Sequence, residues 1–188
     1  MRQIAAILLA VSALAAAPAR AEVAAKGDGG FVIHLQADVA QPPAVVWQVL
    51  IAPAKWWSSA HTFSGDAANL YLDAQASGCF CELLPRAKDA PEDQRRGSVE
   101  HLRVVYVRPG VALRMAGALG PLQGEALAGA MTISLVATNE GTHVTLDYVV
   151  GGYARMKLDE VAPAVDAMLA EQLARLAEAA RAPPPEAK

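Results

Sequence analysis

Residues 159–181 have the sequence DEVAPAVDAMLAEQLARLAEAAR, and this stretch decides the fold. Its apolar residues recur at helical spacing on one face, whereas Glu171 and Arg175 fall outside that face. A helix of this length spans roughly 33 Å, enough to cross a whole sheet. Asp159 is placed to cap its start, and three prolines at 183–185 would stop it. The apolar face comprises Val161, Val165, Met168, Leu169, Gln172, Leu173, Leu176 and Ala180.

The chain before this helix alternates in the manner of β-strands. Residues 128–138 and 142–150 each carry apolar and polar side chains in turn, and the Asn139-Glu140-Gly141 segment between them is typical of a hairpin turn. One apolar face per strand indicates an antiparallel sheet covered on one side. The sequence therefore predicts an α+β fold with the long C-terminal helix as the cover. The predicted strands are 31–39, 69–74, 78–84, 98–108, 111–116, 128–138 and 142–150, with two short helices after the first.

The N-terminal residues resemble a signal peptide. Arg2 gives a positive start, residues 4–17 are uncharged and mostly apolar, and Ala19-Arg20-Ala21 fits a cleavage site. We expect residues 1–21 to be removed and the protein to be periplasmic or secreted; an uncleaved anchor is the alternative. The remaining 167 residues suit one domain. We expect a flexible lead-in at 22–30, the domain at 31–181 and a disordered tail at 182–188.

The charge of the chain argues against two classes of partner. Removal of Arg2 and Arg20 leaves 14 Lys and Arg against 19 Asp and Glu, a net charge of −5. An acidic chain without a basic cluster is not expected to bind nucleic acid or an anionic membrane surface. No second apolar run is long enough to span a membrane. The oligomeric state does not follow from the sequence.

Both cysteines lie in Cys79-Phe80-Cys81. Two residues apart on a regular strand, their Cα atoms would be about 6.6 Å apart, near the outer limit of disulfide geometry. We therefore expect two small buried apolar side chains. A strained or intermolecular disulfide and a metal site are the alternatives.

Signatures of catalysis and of cofactor binding are missing from the sequence. It contains no nucleophile elbow, zinc-protease helix, dinucleotide fingerprint or phosphate-binding loop. The four histidines, at positions 34, 61, 101 and 143, do not have the spacing of metal ligands. We expect no cofactor and no metal, and we assign no catalytic residue.

The order of strand, short helices, six strands and long helix resembles the helix-grip (SRPBCC, START-like) superfamily over about residues 31–181. That superfamily includes START lipid-transfer domains, polyketide cyclases and heat-shock ATPase activator homologues, and the bacterial members are the most similar. It implies a curved sheet wrapped around the helix and an apolar cavity between them. The residues that carry the resemblance are Pro43-Ala44-Val45-Val46-Trp47, Trp56-Trp57, His61-Thr62-Phe63-Ser64-Gly65, Gly78-Cys79-Phe80-Cys81-Glu82, Gly97-Ser98-Val99-Glu100-His101 and Gly117-Ala118-Leu119-Gly120-Pro121-Leu122-Gln123.

Candidates for the cavity or its mouth follow from this resemblance and from strand alternation. If Val105 and Val107 face inward, His101 and Arg103 on the same face do too. Each candidate also has a structural interpretation: a solvated or paired charge, a packed tryptophan, or a methionine that fills the core. The expected ligand-binding residues are Trp57, His61, Glu82, His101, Arg103, Met115 and Met168.

Two functions fit these expectations. The first is an exported protein that binds a small hydrophobic molecule, lipid-like or aromatic, in an internal cavity. The alternative is an enzyme of the polyketide cyclase type that uses His61, Glu82, His101 or Arg103 for proton transfer. A role as a co-chaperone conflicts with export, because the heat-shock ATPase is cytosolic.

Overall fold

A computed structural model of the protein describes residues 20–181, with side chains from residue 23. Residues 1–19 of the predicted signal segment (1–21) and the predicted tail at 182–188 lie outside the described residues, so both remain predictions. Within the described part, no helix is both long enough and apolar enough to cross a membrane.

The protein has the predicted α+β architecture, in which one antiparallel sheet curves around the long C-terminal helix as in the helix-grip fold. The sheet has eight strands in the order β1-β2-β8-β7-β6-β5-β4-β3. Short 3₁₀ turns follow the first helix and precede β7. The elements are β1 (Arg20–Gly27), β2 (Gly30–Val39), α1 (Pro43–Leu50), β3 (Leu70–Leu72), β4 (Cys79–Leu83), β5 (Ser98–Arg108), β6 (Ala112–Ala116), β7 (Ala126–Thr138), β8 (Gly141–Tyr153) and α2 (Leu158–Arg181).

Strand β1 corrects the prediction of a flexible lead-in at 22–30. It pairs antiparallel with β2 from Arg20 opposite Gln36 to Gly27 opposite Gly30. Within 22–30, the residues outside the two strands are those of the turn, Asp28 and Gly29. The prediction failed because the Ala-rich segment has little strand propensity of its own, and β2 supplies the hydrogen-bonding edge that orders it.

Helix α2 packs its apolar stripe against β1 and β2. It begins at Leu158, so Asp159 lies within the first turn and is not the predicted cap. Pro163 has no N–H to donate to the carbonyl of Asp159 four residues earlier. Nζ of Lys26 donates to that carbonyl instead, at 3.3 Å. The proline is therefore tolerated because β1 supplies the missing hydrogen bond.

Strand β5 departs from regular alternation at two positions. Phe80 pairs with Leu102 and Cys81 with Glu100, so His101 is an extra residue opposite β4. Val105 is likewise extra opposite β6. A bulge of this kind turns the following residues to the other face of the sheet. Two neighbours, His101 and Leu102, are consequently both buried.

The cysteines form a disulfide between Cys79 and Cys81, which overturns the expectation of two buried thiols. Their Cα atoms are 5.4 Å apart, closer than on a regular strand. The register of β4 against β5 shifts between Phe80 and Cys81. This local contraction of the strand brings the two sulfurs within bonding reach.

Candidate functional site

The space between the sheet and α2 is divided into two regions. The interior region is almost filled by side chains and retains a void of only about 20 Å³. The second region, which we call the mouth pocket, is an open pocket of about 660 Å³. It lies between α2, the start of β5 and two loops, 57–63 and 119–124. Its lining residues are Trp57, Ala60, His61, Thr62, Phe63, His101, Leu119, Gly120, Pro121, Gln123, Gly124 and Met168.

The first loop is held by a cluster of aromatic rings. The Trp57 ring packs edge-on against Phe80, with centroids 5.0 Å apart, and against Trp56 at 5.4 Å. Nε1 of Trp57 donates to the carbonyl of His61 at 2.9 Å. Nε of Arg175 on α2 donates to the carbonyl of Trp56 at 2.8 Å. The loop is thus fixed to both the sheet and the helix.

Beneath that loop lies a buried pair of polar side chains, Glu82 and His101. Glu82 is 0% exposed and His101 is 5% exposed. The Glu82 carboxylate accepts hydrogen bonds from the backbone N–H of Phe63 at 3.0 Å, from the N–H of Ser64, and from Nε2 of His101 at 2.9 Å. The imidazole lies near the rings of Phe80 and Phe63, at centroid distances of 5.0 and 5.8 Å.

The protonation states of this pair follow from their surroundings. Burial raises the pKa of Glu82, but hydrogen bonds from Ser64, Phe63 and His101 outweigh it, so that the pKa lies below its ordinary value. Burial lowers the pKa of His101, and the hydrogen bond and negative charge of Glu82 oppose that shift only in part. At neutral pH the pair is therefore a carboxylate beside a neutral imidazole.

His61 reaches the mouth pocket from the opposite side, where Gln172 orients it. The N–H of Ser58 donates to Oε1 of Gln172 at 2.8 Å, which fixes the orientation of the amide. Nε2 of Gln172 then donates to Nδ1 of His61 at 2.9 Å. A nitrogen that accepts a hydrogen bond carries no proton, so in the neutral imidazole the ring proton of His61 is on Nε2. Oε2 of Glu171 lies 3.6 Å from the same Nδ1 and would pair with it in the cation.

Tyr148 on β8 holds the second loop. Its hydroxyl accepts from the N–H of Leu119 at 3.0 Å and donates to the carbonyl of Gly117 at 3.2 Å. Burial raises the pKa of Tyr148 to about 12, although the Leu119 hydrogen bond lowers it, so the hydroxyl keeps its proton. Gly129 allows the close approach, because a Cβ there would lie 2.2 Å from the Gly117 carbonyl oxygen.

The structure brings together four of the seven predicted site residues: Trp57, His61, His101 and Met168 line the mouth pocket. Glu82 lies directly behind His101. Met115 does not reach this pocket and lines the interior void instead.

Arg103 was expected to face the cavity, but it faces outward. Its side chain is 56% exposed and pairs with Glu100 at 2.8 Å. The bulge at His101 reverses the alternation of β5, so Leu102 and Val104 point inward in its place. A bulge leaves no mark on an alternating pattern of residue types, which explains the error.

Several residues of the site were not predicted as candidates. Phe63, Leu119 and Gln123 lie in segments whose resemblance was noted but which offered no periodicity to orient them. Gln172 did leave a signal: it is a polar residue inside the apolar stripe of α2 and is 1% exposed. Buried polar groups require hydrogen-bond partners, so a glutamine at such a position indicates a specific contact.

The arrangement can offer a bound molecule the two imidazoles of His61 and His101, the polar side chains of Thr62 and Gln123, and an apolar surface. Within residues 20–181 no three His, Cys, Asp or Glu side chains are grouped so as to hold a metal ion.

Comparison with known proteins supports the fold. A protein of unknown function from Staphylococcus aureus is 12% identical, with a TM-score of 0.56 over 80% of this chain and 93% of that one. An uncharacterised protein from Rhizobium leguminosarum is 19% identical, with a TM-score of 0.53 over 86% and 97%. An AHSA1-like protein from Aeromonas hydrophila is 14% identical, with a TM-score of 0.51 over 79% and 90%.

At these identities the likeness concerns the fold alone. No family model matches the sequence, and no curated protein matches it at a significant level. The chain thus shares the helix-grip architecture with this AHSA1-like protein and with uncharacterised bacterial proteins.

Proposed function

We propose that the protein binds a small, largely hydrophobic molecule in the mouth pocket. The observation that carries this proposal is the pocket itself, because about 660 Å³ is within the range of small-molecule sites. Its lining combines apolar side chains such as Trp57, Phe63 and Met168 with two oriented imidazoles. Such a lining buries a hydrophobic body and fixes its orientation at a few polar points.

We further propose that this binding takes place outside the cytoplasm. The support is the signal-peptide pattern of residues 1–21. The local resemblance to bacterial START-like proteins agrees with binding of an apolar ligand. An export signal argues against a co-chaperone role for this chain, and a fold shared with an AHSA1-like protein does not by itself imply one.

Two measurements test the binding proposal. Native mass spectrometry of protein purified from its own host, followed by solvent extraction, should show a bound small molecule. Nile red should gain fluorescence on binding to the wild type. Met168→Lys places a charge in the pocket and should abolish that gain.

Val136→Lys is the matched control. Val136 is 57% exposed on β7 and does not line the mouth pocket, so this variant should bind Nile red like the wild type. A wild-type protein that is always empty and takes up no apolar probe would contradict the proposal. Equal losses in both lysine variants would contradict the assignment of the site.

A second candidate function, an enzyme that transfers a proton, is favoured by the Glu82–His101 pair. A carboxylate that orients a neutral imidazole is an arrangement suited to a general base. On this hypothesis His101→Gln should abolish turnover of polyketide-like or aromatic substrates and leave the melting temperature nearly unchanged. No turnover by the wild type across such a panel would contradict it.

A further inference from the structure

We propose that the molecule bound in the mouth pocket carries an acidic hydroxyl group, a phenol or an enol, that donates a hydrogen bond to Nδ1 of His101. This inference rests on the binding function proposed above and deepens it by naming the chemical class of the ligand.

In the neutral ring, His101 carries its proton on Nε2. Burial raises the pKa of Glu82, but hydrogen bonds from Ser64, Phe63 and His101 bring it below its ordinary value, so the group is an ionised carboxylate at neutral pH. An ionised carboxylate has no proton to donate. Its contact with Nε2 of His101 at 2.9 Å is therefore a hydrogen bond that this N–H donates. A neutral imidazole protonated at Nε2 has its lone pair on Nδ1.

The lone pair on Nδ1 of His101 faces the mouth pocket. Nδ1 of His101 has no hydrogen-bond partner within residues 20–181. Within that part of the chain, the one side-chain N or O atom that is both fully enclosed and without a partner is Oδ1 of Asp166. Since Nδ1 of His101 also lacks a partner, it is not fully enclosed. His101 lines the mouth pocket, and 95% of its surface is covered. We therefore take Nδ1 to be reached from the pocket.

A single lone pair on Nδ1 of His101 suits a ligand hydroxyl group. A hydroxyl brings one donor, which a single lone pair satisfies, whereas an ammonium brings three donors and Nδ1 of His101 can accept only one of them. A carboxylate has no proton to donate, and its charge would be repelled by the nearby Glu82. The rings of Trp57 and Phe63 favour a flat aromatic or conjugated body over an aliphatic alcohol.

His61 adds an opposite polarity to the same pocket. Its ring proton is on Nε2, because Nδ1 accepts from Gln172. Nε2 of His61 has no hydrogen-bond partner among the described side chains. It is not among the fully enclosed side-chain atoms that lack a partner. A phenol or enol with a second oxygen would therefore meet an acceptor at His101 and a donor at His61.

The test compares two probes that differ in a single proton donor. 4-Nitrophenol and 4-nitroanisole share the same ring and nitro group, but the anisole has a methoxy group in place of the hydroxyl. Their affinities for the wild-type protein are measured by calorimetry at a pH where the phenol is neutral. We expect 4-nitrophenol to bind about 2- to 12-fold more tightly, as one net hydrogen bond gives.

His101→Phe is the informative variant, because it keeps an aromatic ring beside Phe63 and Phe80 and removes the lone pair. It should bind both probes equally. Arg103→Ala, on the outer face of the same strand, should keep the preference of the wild type. Should His101→Phe fail to fold, nitrogen NMR of wild-type His101 replaces it: Nε2 should be protonated, and 4-nitrophenol should shift the Nδ1 resonance.

The outcomes separate this inference from the proposed function. Equal affinity of the wild type for both probes overturns the inference, while uptake of Nile red still supports hydrophobic binding. Binding of Nile red without either nitro compound also overturns the inference alone. Failure of all three probes contradicts the proposed function, and the inference with it.

Discussion

The interior void and the mouth pocket lie between the same sheet and the same helix, yet the pocket is more than thirty times larger, about 660 against 20 Å³. In the interior, Leu173 and Leu176 of α2 meet apolar side chains of the sheet strands, and packing leaves room for one water molecule at most. At the mouth, the surrounding segments are loops held by buried polar side chains.

The difference teaches that apolar and polar contacts play separate parts in this fold. Apolar side chains close whatever space the backbone leaves between the layers. Glu82 and Tyr148 instead hold two loops through hydrogen bonds to backbone atoms, which set a fixed position for each loop. The stripe of α2 thus stabilises the protein, while these two side chains keep a pocket open beside it.

The largest effect should come from Leu173→Ala in the interior. Leu173 is 1% exposed and borders the void, so the truncation would enlarge an existing cavity. We expect the free energy of unfolding to fall by about 2–5 kcal/mol in urea denaturation. Binding of Nile red at the mouth should persist under native conditions.

Met168→Ala is the matched change at the mouth, where the side chain is only partly buried. It should cost less than about 1 kcal/mol and weaken the binding of Nile red. The two regions would not be distinct if both truncations destabilised the protein equally, or if Leu173→Ala were the one that lost the probe.

A smaller effect is expected at the disulfide on β4, the strand that contributes to both regions. Phe80 borders the interior void, and Glu82 holds the loop at the mouth. Replacing Cys79 and Cys81 together by Ser opens a very short covalent loop, which should cost about 1–2 kcal/mol of stability. Neither cysteine lines the mouth pocket, so the affinity for Nile red should not change.

Denaturation of the wild type with and without a reductant provides the control for this double variant. The reductant should shift the wild type towards the variant and leave the variant unaffected. A variant of unchanged stability would contradict the presence of this disulfide in solution.

The architecture was predictable because it depends on periodicity, whereas the details of the site depend on exceptions to it. Alternation and the breaks between segments located seven strands, and the apolar stripe located α2, which begins two residues before the start that a cap at Asp159 predicts. The bulge at His101 reversed the face of Arg103 without altering the residue pattern. The contraction at Cys79–Cys81 and the pairing of β1 depend on neighbouring strands, which local patterns do not contain.

The pH dependence of stability should distinguish the mouth from the interior, because the buried pair Glu82 and His101 lies at the mouth. The pKa of His101 in the folded protein is below its ordinary value of 6.5, chiefly because burial disfavours the cation. As pH falls through 6.5, the unfolded chain gains this proton before the folded protein does. The free energy of unfolding should therefore decrease as the pH is lowered, and this group contributes at most about 1.4 kcal/mol per pH unit to that decrease.

His101→Phe should remove that part of the pH dependence, which urea denaturation between pH 5 and 8 would measure. Glu82 contributes only at lower pH: its lowered pKa means that its stabilisation begins to be lost below the ordinary value of 4.5. If His101→Phe kept the full pH dependence of the wild type between pH 5 and 8, a neutral, buried His101 would be contradicted.

The smallest effect is expected for Arg103→Ala, and it tests whether β5 is bulged at His101. Arg103 pairs with Glu100 on the outer surface, where such ion pairs contribute about 0–1 kcal/mol.

Arg175→Ala is the matched change, because Nε of Arg175 donates a hydrogen bond to the Trp56 carbonyl at the loop of the mouth pocket. Arg175→Ala should cost about 1 kcal/mol or more and weaken probe binding, since it frees that loop. Arg103→Ala should leave the affinity for Nile red unchanged. If it weakened binding instead, Arg103 would have to face the pocket, and β5 would have to alternate without the bulge that turns His101 and Leu102 both inward.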